Sequence, residues 1–206
     1  MAKAFKRKGG RFVARLDEVE RQVVVGLLQQ TQAFIAPAHR EPTGDPFEDL
    51  MATLGPPPPF DSGADGSRAD GLGADGSKMP RDPALERLLP TAHREDPAMA
   101  AEFRRLTEHG LRERKAANLA TAISALLTPD GDKVSLDREQ AQAMVVALTD
   151  VRLLLGERLG LRTDDDADAL QDRLEAASEG DSELYLAAYY DFMTWLQESL
   201  TQALMA

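Results

Sequence analysis

The chain has 206 residues, 43% of them hydrophobic, and its 24 Lys and Arg against 35 Asp and Glu give a formal net charge of −11. That length and apolar content support one medium domain with a real core, and the acidic balance argues against a generic nucleic-acid binder, which needs a basic face. The sequence has no cysteine, which excludes an internal disulfide, a thiolate nucleophile and cysteine-ligated zinc or iron–sulfur centres.

Residues 4–16 read as a small β-hairpin turning at Gly9-Gly10, where positive φ costs little. Six basic residues and no acid fall in the first 15 positions, so this is the most cationic part of an acidic chain. It reads either as an arm for phosphate or an acidic partner, or as an edge hairpin defended by charge. Asp17 then opens a helix that ends at Pro37, with Glu20 completing a capping box. Its buried face is either Val19, Val23, Leu27 and Phe34 or Val24, Leu28 and Ile35. Asp45 and Pro46 start a shorter helix with Phe47, Leu50, Met51 and Leu54 inside, closing at Gly55.

From Pro56 the composition turns to proline and then to Gly, Ala, Asp and Ser, with Gly-Ala-Asp-Gly-Ser at 63–67 and again at 73–77. Such a segment buries too little apolar surface to offset its ordering entropy, so 56–80 is expected to be a disordered linker. Residues 1–55 and 81–206 on either side are expected to pack as one domain. Two copies without the aliphatic positions that stack repeated turns do not make a calcium-binding β-roll.

Asp82 and Pro83 begin a short helix with Leu85, Leu88 and Leu89 inward. Asp96-Pro97 opens a long one to about Leu127, with Met99, Phe103, Leu106 and Leu111 and then Leu119, Ile123, Leu126 and Leu127 as apolar positions. Arg104, Arg105, Arg112, Arg114 and Lys115 form a basic cluster on it, read either as a contact patch or as an internally paired face. The segment from Thr128 to Lys133 is a turn, and Ser135 is the expected N-cap of a helix over about 136–159 that stops before Gly160. A helix-turn-helix is not supported, because Asp137, Arg138, Glu139, Gln140 and Gln142 make a mixed set at the start of the second helix.

Thr163 and Asp166 form another capping box, for a helix of about 164–177. Asp164, Asp166, Asp168 and Glu175 fit an EF-hand spacing, but Ala169 stands where the turn needs glycine, so a helix is expected instead of a calcium loop. Asp181 caps a last helix, about Glu183 to Leu204, that holds Tyr185, Tyr189, Tyr190, Phe192 and Trp195. Tyr185, Tyr189, Phe192, Leu196 and Leu200 form one face, and Leu186, Tyr190, Met193 and Ala203 widen it. This helix is expected to be the core of the fold, covered on both sides from within the chain.

His39, His93 and His109 lack metal-site spacing, and no nucleophile elbow, phosphate loop or dinucleotide fingerprint occurs, so no catalytic, metal or cofactor residue is expected. No apolar run approaches the roughly 20 residues of a membrane span, and the basic start lacks a signal segment, so a soluble cytoplasmic protein without a membrane partner is expected.

Four phrases carry a family resemblance: Lys3-Ala-Phe-Lys-Arg-Lys-Gly-Gly-Arg-Phe12, Asp45-Pro-Phe-Glu-Asp-Leu50, Asp82-Pro-Ala-Leu-Glu-Arg-Leu-Leu-Pro90 and Tyr189-Tyr-Asp-Phe-Met-Thr-Trp-Leu-Gln-Glu-Ser-Leu200. In these the chain resembles an actinobacterial family catalogued as a domain of unknown function. Its genes often neighbour that of the ClpS protease adaptor, and it includes the oxidative-stress regulator AosR. The resemblance covers most of the chain outside 56–80. It implies a mostly helical, non-catalytic regulator of transcription whose partner is a protein such as a sigma factor or RNA polymerase. The redox-sensing cysteine pair of the mycobacterial relative has no counterpart here, so disulfide switching within the chain is not implied.

The expected fold is therefore mainly α, a helical bundle with a small N-terminal β-hairpin and a disordered internal linker. Candidate partner-binding residues are Lys6, Arg7, Lys8 and Arg11, with Arg104, Arg105 and Arg112 as a second patch. An adaptor in ClpS-linked proteolysis, a direct DNA-binding regulator and a homodimer stay open beside this reading.

Overall fold

The computed structural model describes residues 1–36, 82–92, 96–177 and 181–206. The expected helix at 45–55, the linker at 56–80, His39 and His93 lie outside them. The described elements run β1 (Lys3–Lys8), β2 (Arg11–Arg15), α1 (Glu18–Ile35), α2 (Pro83–Leu88), α3 (Pro97–Leu127), β3 (Lys133–Leu136), α4 (Arg138–Arg158), α5 (Asp164–Ala176) and α6 (Ser182–Met205). The fold is mainly helical with an N-terminal β-hairpin, as expected, and residues 1–37 and 83–206 make one compact unit.

The hairpin turns where Gly9 and Gly10 take φ of 56° and 80°, the pair of positive angles whose twist matches the flanking strands. One strand was not anticipated. Residues 133–136 do not begin a helix; they pair antiparallel with β2 to complete a sheet of order β1-β2-β3. Val134 and Leu136 point to the core and Lys133 and Ser135 away from it, the two-residue alternation of a half-buried strand. The following helix is capped by Asp137 rather than Ser135, with the Gln140 N–H donating to Asp137 Oδ1 at 2.8 Å and the Asp137 N–H donating to Gln140 Oε1 at 3.0 Å. The connection from α3 to α4 is thus a sheet strand, which a helix-turn-helix does not have.

Other caps follow the sequence. Asp17 accepts from the Glu20 N–H at 2.9 Å, and this backbone hydrogen bond holds its carboxyl below the ordinary range. Gly160, at φ 76°, closes α4. Its N–H donates to the Glu157 carbonyl at 3.1 Å and that of Leu161 to the Gly156 carbonyl at 2.8 Å, the paired bonds of a Schellman motif. Asp166 lies inside α5, its carboxylate accepting from the Arg162 and Thr163 N–H groups at 2.9 and 2.7 Å.

The centre of the molecule is α4. Nine of its residues are buried, including Met144, Leu148, Val151 and Leu155, and it packs against α6, α3, α2, α1 and the sheet. The last helix, α6, is a flank of this core and not its axis. Its buried residues are Ala187, Met193, Leu196, Ser199, Leu200 and Ala203; the helix meets α4 on one side and β1 on the other, and Ala187 packs with Leu159 and Leu170. Tyr185 is 56% and Trp195 36% exposed, so the aromatic stripe is only partly covered, with Trp195 stacked on Phe192 at 5.8 Å. Ser199 ties α6 to the sheet, its buried hydroxyl accepting the Phe5 N–H at 3.2 Å. In α1, Val24, Leu28 and Ile35 form the buried face, whereas Val19 is 70% exposed. In α3 most of the core lies in the second half: Leu119, Ala122, Ile123 and Leu126 are buried there and Ala100 near the start, while Met99, Phe103, Leu106 and Leu127 are exposed.

Candidate functional site

The strand register places the basic residues of the hairpin. Along β2, Phe12 and Ala14 face the core, so Arg11, Val13 and Arg15 face outward. Lys8 stands opposite Arg11, Lys6 opposite Val13, and a shift in register between Lys3 and Lys6 brings Lys3 opposite Arg15. On the other side of β2, Ser135 stands opposite Val13 and Lys133 opposite Arg15. The outer face of the sheet therefore carries Lys3, Lys6, Lys8, Arg11, Arg15 and Lys133 around Val13 and Ser135, with no carboxylate in any strand.

Directly opposed side chains in an antiparallel pair stand about 4.5–5.5 Å apart at Cβ, and like charges there are destabilising. Two rows of this sheet accept that cost, Lys3–Arg15–Lys133 and Lys8–Arg11. Their internal compensation is slight. Arg11 donates to Ser135 Oγ and to the Ser135 carbonyl, both at 2.8 Å, and Lys133 lies 3.9 Å from an Asp130 carboxylate that is itself 89% exposed. Ion pairs of that kind contribute roughly 0–1 kcal/mol. Of the four hairpin candidates, Lys6, Lys8 and Arg11 share this face. Arg7 stands opposite Phe12, on the other side of β1, exposed near the hairpin tip.

The second set of candidates has a different character. Arg105 is held by Glu102 at 2.8 and 3.1 Å. Arg104 donates to Thr91 Oγ1 at 2.7 Å and lies 3.9 Å from both Glu86 and Glu108. Arg112 is 15% exposed, pairs with Glu108 at 2.7 Å and donates to the Ile35 carbonyl at 2.5 Å. That last bond caps the C-terminus of α1, which has no basic residue of its own in its last turn. These arginines lie on α3, engaged by neighbours in the protein, and are not part of the sheet face. His109, also on α3, lies 3.3 Å from Glu113 one turn on.

Lys3, Arg15 and Lys133 complete the face but were not among the sequence candidates. The signal for Lys133 was the alternation Lys-Val-Ser-Leu at 133–136, which brings a basic residue 118 positions away in the chain beside Arg15 once it is read as a strand. A separate charged feature is buried: Lys115 on α3 donates to Asp150 Oδ1 on α4, and Asp150 is 1% exposed. Burial pushes the Asp150 carboxyl above its ordinary value, against the lowering influence of Lys115. Among the described residues no group of three or more His, Asp or Glu is arranged to hold a metal ion, and no helix is long and apolar enough to cross a membrane.

Fold and site together define a mainly helical protein that presents a cationic three-stranded sheet from an acidic chain. The chain belongs to the family described as Domain of unknown function (DUF2017), which it matches over residues 2–204. No curated protein and no solved structure matches it.

Proposed function

We propose that the protein is a non-catalytic regulator that docks an acidic segment of a partner protein on the outer face of its sheet. The observation that carries this reading is the set of six cations on one sheet face, two rows of them in direct opposition, without an interleaved carboxylate. A fold that only needed a soluble edge would gain from alternating charge there. Resemblance to a family that includes an oxidative-stress regulator directs the search for the partner toward the transcription machinery, a sigma factor or a polymerase subunit. The absence of cysteine makes the trigger something other than a disulfide within this chain.

The test is charge reversal at Lys6, Lys8 and Arg15 to Glu, followed by affinity capture from cells with and without oxidant. Reversal at Lys8 and Arg15 replaces repulsive cross-strand pairs by attractive ones, and Lys6 stands opposite Val13, so the fold should be no less stable, while a captured sigma factor or polymerase subunit should be lost. Capture that is unchanged by the three reversals overturns the site, and capture of neither protein under either condition overturns the assignment to transcription. Duplex DNA bound near physiological salt, with affinity falling as roughly the 0.9 power of salt per phosphate contacted, replaces the protein partner by nucleic acid.

A further inference from the structure

A second site lies between α2, α4 and α6, where Arg87, Thr149, Arg152, Leu153, Gly156, Leu161 and Tyr190 line a cleft of about 260 Å³. Its chemistry is set by Arg152. Nη1 donates to Gln197 Oε1 at 2.7 Å and Nη2 lies 3.5 Å from the Tyr190 hydroxyl, with the guanidinium 5.4 Å from the centre of the Tyr190 ring. Its Nε is buried and has no hydrogen-bond partner among the described residues. Among the described residues no carboxylate pairs with it; Glu198, which lines the adjoining concavity with Gln197, Thr201 and Gln202, makes no ion pair to it. A buried N–H on a permanently charged group is normally satisfied, because leaving it bare forfeits its hydration.

The surroundings point the same way. Arg87 donates to the Leu161 carbonyl at 2.8 Å and pairs with Glu157, whose side chain is 6% exposed and is shared with Arg162. Glu157 is thus shared by two guanidiniums, of which Arg162 also lies near Asp166, and Arg152 is left without a carboxylate among the described residues. Gly156 is the floor. It is a buried residue within α4, and a Cβ there would stand 3.5 Å from the Tyr190 ring and 3.9 Å from Arg87 Nη1. Those are ordinary contacts, so alanine would fit and would favour the helix. Neither the turn of the helix nor close packing requires glycine; the open volume is what it preserves.

We infer that this cleft binds a small organic oxyanion, its carboxylate or phosphate on Arg152 and Arg87 and its apolar part against Leu153, Leu161 and Tyr190. A planar guanidinium with free donors matches either head group. The site is independent of the sheet face, and occupancy by such a ligand is a form of control open to a chain without cysteine.

The test follows the Arg152 Nε–H signal in nitrogen–proton correlation spectra during titration with inorganic phosphate, sulfate and benzoate, against chloride at equal ionic strength. A saturable shift with at least one oxyanion and none with chloride is expected, and the strongest of the three identifies the head group. Gly156→Ala should melt no lower than the wild type yet bind about tenfold more weakly or worse, and Arg152→Lys, which keeps the charge without the fork, should weaken binding similarly. No saturable shift with any of the three, or wild-type affinity in Gly156→Ala, overturns the proposal. Lys6→Glu and Lys8→Glu should leave the titration unchanged.

Discussion

Replacing Lys115 by methionine isolates the one fully buried carboxylate among the described residues, Asp150. Asp150 is 1% exposed, one of its oxygens takes the Lys115 ammonium, and the other, Oδ2, is buried without a hydrogen-bond partner. Methionine keeps most of the apolar stem and removes the charge. An uncompensated buried charge costs about 3–5 kcal/mol, a large share of the roughly 5–15 kcal/mol by which a domain is stable. The carboxylate can escape part of that by binding a proton, which fixes the pH dependence. Its native pKa already lies above the ordinary 3.8 because of burial, and losing Lys115 removes the influences that lower it. Between the unfolded and the native pKa the native state holds more protons than the unfolded one. Stability therefore falls as pH rises through that window, so Lys115→Met should be most damaging above it and least damaging below it.

Urea unfolding at mildly acidic and at neutral pH measures this, with an unchanged denaturant slope as the sign that the unfolded state is the same. The double variant Lys115→Met with Asp150→Leu should recover most of the loss or exceed the wild type, since well-packed apolar replacements of buried ion pairs are often neutral or stabilising. A loss below about 1 kcal/mol, equal at both pH values, would mean that the pair is solvated and worth no more than a surface pair, and the reasoning fails.

Ser199→Ala removes the acceptor of the Phe5 N–H and should cost about 1–3 kcal/mol, the penalty of a buried unpaired donor. Amide exchange at Phe5 should accelerate with it, and an unchanged rate would show that β1 is not held to α6 by this bond. Gly10→Ala should cost about 1–2 kcal/mol although a Cβ there meets nothing within 4 Å, because a φ of 80° strains any side-chain-bearing residue. A thermal midpoint equal to that of the wild type would contradict the turn geometry.

Local signals were legible and long-range ones were not. The caps at Asp17, Asp96 and Asp181 and the stop at Gly160 are each decided within about one turn of chain, so the residues themselves announce them. The strand β3 is four residues long, and its stability comes from pairing with β2 more than 100 positions earlier. Ser135 and Asp137 are both good caps, and nothing local says that the first belongs to a strand and only the second to a helix. That error propagated to the site. The hairpin cations were visible as composition, but which of them share a face depends on the register, and their completion by Lys133 depends on the strand.

The apolar periodicity of α3 misled for a geometric reason. At 1.5 Å per residue its 31 residues span roughly 45 Å, half as long again as α4, so its first half extends past the helix on which its second half packs. Met99, Phe103 and Leu106 keep helical spacing without being buried. The last helix misled in the opposite sense, through residue size. Tyrosine and tryptophan promise the most apolar area, yet the small residues Ser199 and Ala203 are among those that α6 buries, on the stretch where it meets α4 and β1. The aromatic rings sit at the margins of those contacts. There Tyr190 is free to flank the Arg152 cleft, and aromatic density on α6 therefore marks the border of the core, where a ligand can reach it, better than it marks the centre.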